Sequence, residues 1–147
     1  NPHQWNMAQI DGKWYYFDPT WDNPVNTSKY LHYVYFGLTY DEIKSTHSVQ
    51  YLSLLPKAQS RDANYYYKNK LILKTNKLSD IKSIANLSYK INKNHISFRC
   101  SSKEIYNYMI GNMTTWLYYV INENGISYSN MSYIKNDDIL LIDISME

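Results

Sequence analysis

Asp11-Gly12 is the strongest short-range hairpin signal a sequence can carry, and it sits between two aromatic-rich runs, residues 5–10 and 13–18. A two-residue turn fixes register. Ile10 then opposes Lys13, Trp5 opposes Asp18, and His3 opposes Thr20. Opposed residues share a face, as do residues two apart on one strand. His3, Trp5, Met7 and Gln9 therefore share a face with Thr20, Asp18, Tyr16 and Trp14. His3 and Asp18 become diagonal neighbours with Cα atoms roughly 7–8 Å apart, within reach of an imidazole–carboxylate hydrogen bond. Such a pair can be a base and its orienter, the carboxylate holding Nδ1–H and leaving Nε2 for a nucleophile. Taken as a generic His/Asp pair, it reads first as an ordinary structural contact within a hairpin.

Charge and composition exclude several classes. The net charge of +2 divides into −1 over residues 1–67, +8 over 68–103 and −5 over 104–147. The basic middle is mostly Lys and has no Gly-aromatic RNA-binding signature, so it reads as a solvated face and no nucleic-acid partner is expected. Apolar content of 44% is too high for a disordered tail. The longest apolar run, Trp116 to Ile121, falls far short of the ~20 residues of a membrane span. Seventeen Tyr among 147 residues, together with abundant Asn, Lys and Ile, fit an AT-rich coding sequence as well as they fit any function.

Local pattern predicts an α+β chain. Pro19 ends the second hairpin strand, and Tyr33–Leu38 reads as another strand. Thr39 can cap a helical turn over residues 40–43, with Glu42 in the capping-box position. Tyr66–Lys74 reads as a strand. Leu78, Ile81, Ile84, Ala85, Leu87 and Ile91 form one face of a helix capped by Ser79 or Asn76. His95–Cys100 alternates as a strand, and a second helix follows a Ser101 or Ser102 cap. Residues 116–121 fit a strand or a buried helix. Residues 126–133 and 139–144 predict a closing hairpin. The order β-α-β-α-β-β from residue 65 suggests a small ferredoxin-like α+β subdomain.

The stretch from Pro2 to Pro24 contains His3-Gln4-Trp5-Asn6, Asp11-Gly12-Lys13-Trp14-Tyr15 and Asp18-Pro19-Thr20-Trp21-Asp22-Asn23-Pro24. It closely resembles the transglutaminase-like (transglutaminase/protease) superfamily in its bacterial branch. The family pattern is H-x-W-N, then D-G-K-W-Y, then D-x-T-W-D-x-P. Weaker similarity continues through Tyr35-Phe36-Gly37-Leu38-Thr39, His47-Ser48 and Asn64-Tyr65-Tyr66-Tyr67, to about residue 72. The resemblance implies a papain-like Cys-His-Asp triad acting on a protein or peptide amide. His3 would be its His and Asp18 its Asp. Trp5 and Trp21 sit beside that pair and could line a substrate groove, fill a small core, or do both. It also implies a secreted or cell-envelope setting, with a cell-envelope protein among the substrates to consider. Residues 1–64 would be the C-terminal half of a truncated papain-like core with an antiparallel sheet, and 65–147 the appended subdomain.

The family's nucleophilic Cys precedes its His. Here the one cysteine, Cys100, lies downstream on the apolar side of a strand and reads as structural. The chain opens on its densest motif, with no initiator Met and no signal peptide, which reads as a fragment with a natural N-terminus upstream. Alone it would then carry two thirds of a triad and be inactive. The other reading is a non-catalytic surface or binding module on a degenerate scaffold. His32, His47 and His95 lack metal-ligand spacing, so neither a metal nor a cofactor is expected. His47 reads as loop packing.

Overall fold

The computed structural model describes residues 3–23 and 31–147. The expected loop at Asn23-Pro24 lies partly outside these residues. The chain is α+β and divides into two compact units, residues 1–69 and 70–147.

The first unit is built on the hairpin. Strands β1 (Asn6–Ile10) and β2 (Lys13–Phe17) pair antiparallel, with Ile10 opposite Lys13 and Asn6 opposite Phe17. Asp11 and Gly12 have φ of 48° and 77°. Both turn residues are thus left-handed, as the tight turn requires. Pairing stops at Asn6 and Phe17, so His3, Trp5 and Asp18 lie beyond the ladder. Asp18 instead caps α1 (Pro19–Asp22), with Pro19 at its first position. The third strand, β3 (Phe36–Leu38), pairs with β2 and is shorter than the expected 33–38. Helix α2 (Tyr40–Ile43) follows with the full capping box: Thr39 Oγ1 accepts from Glu42 N, and Glu42 Oε2 accepts from Thr39 N. Helix α3 (Tyr65–Lys68) occupies the start of the expected strand 66–74. Asn64 diverts the chain there, because its side chain accepts Tyr66 N–H and caps a helix. Tyr15, Tyr16, Leu38, Ile43 and Tyr66 are buried in this unit.

In the second unit a mixed four-stranded sheet has the order β4 (Ile72–Leu73), β5 (His95–Cys100), β7 (Leu141–Met146), β6 (Met131–Asn136). β4 and β5 are parallel, joined through α4 (Leu78–Ile91), and the other pairs are antiparallel. Lys77 occupies the cap position of α4 without a side-chain bond, in place of the expected Ser79 or Asn76. Ser102 caps α5 (Lys103–Gly111) by accepting Ile105 N–H. Residues 116–121 are helical, within α6 (Met113–Asn124). β5 does not alternate, and all six of its residues are buried. It lies between β4 and β7 with α4 and α5 packed on it, so neither set of side chains is left for water. Among the described residues no helix is long and apolar enough to cross a membrane.

Gly37 holds the first unit together at close quarters. Its φ is 72°, and a Cβ there would meet Ala63 O at 2.8 Å and Asn64 Cα at 3.0 Å. Asn64 Nδ2 also donates to Phe36 O at 3.0 Å. A Cβ at Gly12, with φ of 77°, would meet nothing within 4 Å. Gly12→Ala should therefore cost about 1 kcal/mol through backbone strain alone. Gly37→Ala should cost roughly 2–3 kcal/mol or more, since backbone must also shift. Urea unfolding of both variants measures the difference, and equal losses would refute the close approach.

Candidate functional site

Asp18 is the centre of a cluster in the first unit. Its carboxylate has no solvent exposure. Oδ1 accepts the backbone N–H groups of Thr20 and Trp21, each at 3.1 Å. Oδ2 meets two imidazole nitrogens, His3 Nε2 at 2.5 Å and His47 Nε2 at 2.8 Å. Burial pushes the Asp18 carboxyl up, but the bonds from His3, His47 and the Trp21 N–H together outweigh it and hold it below its ordinary value. The result is a buried anion met by four donors.

The expected His3–Asp18 contact is present, but through the other nitrogen. Nε2 faces the carboxylate, so Nδ1 is the nitrogen left for a reacting group. The reason is that both residues lie past the last ladder pair. The His3 ring is then oriented by its stacking, on Trp21 at 5.1 Å and 21° and on Trp5 at 6.2 Å and 30°. His3 remains about one quarter exposed, whereas the His47 side chain is 1% exposed.

The hairpin arithmetic could not reach His47, 29 residues from Asp18. It is delivered by the end of α2, where its backbone N–H donates to Ile43 O at 2.9 Å. Its Nδ1 lies 2.7 Å from Thr46 Oγ1. Its ring sits 4.8 Å from Trp5, 4.6 Å from Trp21 and 5.4 Å from Tyr35. Trp5 and Trp21 thus flank both imidazoles. Trp21 is 43% exposed and Trp5 half-buried, so each also offers surface beside His3. Packing does describe His47, but its ring also makes the second bond to the triad-like carboxylate. The one sequence signal for it was the His47-Ser48 segment.

An open cleft of about 500 Å³ adjoins His3, lined also by Gln4, Trp5, Asn6, Ser48 and Gln50. Its polar side chains other than His3 are amides and a hydroxyl. The ligand atoms of His3, Asp18 and His47 lie within 4.8 Å of one another, close enough to hold a metal ion. The short N···O distances are those of hydrogen bonds onto a shared oxygen, not of a coordination sphere around a gap. Cys100, in the second unit, is buried, and burial pushes its thiol up to about 12, the opposite of an activated nucleophile. No family model matches the chain, and no curated protein is significantly similar to it.

Asp22 supplies a titration handle beside the cluster. It is 6% exposed and accepts Tyr35 N–H at 2.8 Å. Burial pushes its carboxyl up to about 7 despite the backbone bonds, and Asp18 adds to the rise. The unfolded group ionises near 3.8. Below that value both states are protonated. Between about pH 4 and about pH 7 the unfolded chain ionises first, so the fold loses stability as pH rises, on the order of a few kcal/mol. Asp18 acts in the opposite sense and only below 3.8. Asp22→Asn keeps an acceptor for Tyr35 and removes the titration. Its urea midpoint should gain on wild type between pH 5 and pH 8. An unchanged difference would refute the raised carboxyl.

Proposed function

We propose that this chain is the His- and Asp-bearing part of a transglutaminase-like cysteine hydrolase or acyltransferase acting on protein or peptide amides. The single observation that carries the reading is the His3 Nε2–Asp18 Oδ2 bond. It leaves Nδ1 as a base beside an open cleft. In this reading Nδ1 takes the proton of a cysteine thiol, and the thiolate attacks the amide carbonyl. The imidazolium is held by Asp18 and then gives the proton to the leaving amine. A thioester remains, and water or a second amine resolves it with His3 again as base. The uncharged lining of Gln4, Asn6, Ser48 and Gln50 suits a neutral peptide main chain. Trp5 and Trp21 are proposed to contact the substrate next to the scissile amide.

The thiol would have to come from outside these 147 residues, because Cys100 is the only cysteine among them and is buried. On the same resemblance, the first unit is proposed as the C-terminal half of a papain-like core, and the protein as secreted or attached to the cell envelope. The ferredoxin-like comparison for the second unit rests on its alternation of helices and strands on one sheet. The parallel β4–β5 pair departs from a wholly antiparallel arrangement.

The test begins with the coding sequence ahead of Asn1, where a Cys opening an apolar-periodic helix is expected. In the parent protein that thiol should be alkylated by iodoacetamide near pH 7. Asp18→Asn should lower turnover roughly 10⁴-fold by presenting the wrong His3 tautomer. A full domain's length without such a Cys would sink the enzyme reading and leave a non-catalytic binding module on the same scaffold.

A further inference from the structure

We propose that His47 is a positioning residue of this site, acting through Asp18 to set which nitrogen of His3 carries the proton. This rests on reading His3 and Asp18 as base and orienter. An ionised carboxylate only accepts. Both Nε2 atoms facing Oδ2, at 2.5 and 2.8 Å, therefore carry protons, and the neutral His3 keeps its lone pair on Nδ1. If Asp18 were protonated it would itself donate to His3 Nε2. The His3 proton would then move to Nδ1, and the outward nitrogen would cease to be a base. Complete burial pushes a carboxyl toward that neutral form. His47 opposes this with a second N–H on the same oxygen, from a ring with 1% exposure.

His47 is itself constrained to this duty. Its Nδ1 meets Thr46 Oγ1 at 2.7 Å, and its Nε2 faces a carboxylate that can only accept, which puts a ring proton on Nε2. Its backbone is tied to the end of α2 through Ile43 O. Trp5 stands edge-on at 77° and Trp21 at 52°, which limits ring rotation.

The experiment uses the full 147-residue chain, ¹⁵N-labelled, and reads imidazole tautomers by long-range ¹H–¹⁵N NMR near neutral pH. Wild type should give a single Nε2–H tautomer for His3. His47→Phe keeps a ring in the aromatic cage and removes the donor, and should give mixed His3 tautomers with loss of the fixed Nε2–H signal. His47→Gln returns an N–H donor and should restore it. A His3 tautomer identical in wild type and His47→Phe overturns the proposal. If His47→Phe does not fold, His47→Leu is read in the same way. In the parent protein a reactive thiol with an unmoved His3 tautomer would defeat the role of His47 alone. The absence of any such thiol would defeat the proposed activity and leave the tautomer result standing.

Discussion

A carboxylate removed from water must find donors or lose its charge, and Asp18 finds four. Two are the first free N–H groups of a helical turn that Asp18 itself caps, and two are imidazoles brought from opposite directions along the chain. Much of the first unit serves this convergence. The hairpin turn brings residue 3 back beside residue 18. Pro19 converts strand to helix at that point, so that the Thr20 and Trp21 N–H groups point at Oδ1. The Thr39–Glu42 capping box fixes α2, whose last carbonyls anchor His47. Each is a short-range device, and the anion is where they meet. Removing any one donor leaves the others holding a group that burial would neutralise.

The hairpin register was legible because a two-residue turn and a period of two leave no freedom, and the observed pairs follow it from Ile10–Lys13 to Asn6–Phe17. The choice of nitrogen was not legible. Register arithmetic stops where the ladder stops, and His3 is oriented by rings stacked on it rather than by strand geometry. His47 was hidden for a different reason. A contact across 29 residues and two connecting segments leaves no local trace, and only a two-residue resemblance marked it. Of the strand expected at 66–74 only Ile72–Leu73 forms, because Tyr and Ile favour strands on average, yet a single Asn64 cap decides the first turn locally. The burial of all of β5 escaped an alternation rule that holds only when one face meets water.

The two imidazoles on one oxygen also bear on how much the site can do. A lone His–Asp pair has one proton to place between two groups. With His47 present, Oδ2 meets two imidazole N–H donors, and His47 Nδ1 is engaged with Thr46 Oγ1. His3 is also the exposed member of the cluster, beside the cleft, whereas His47 and Asp18 are sealed. Burying the carboxylate alone would not require one of its partners, His3, to stand beside a cleft. This asymmetry of exposure adds to the contact itself as support for the proposed reading of His3 as a base oriented by Asp18.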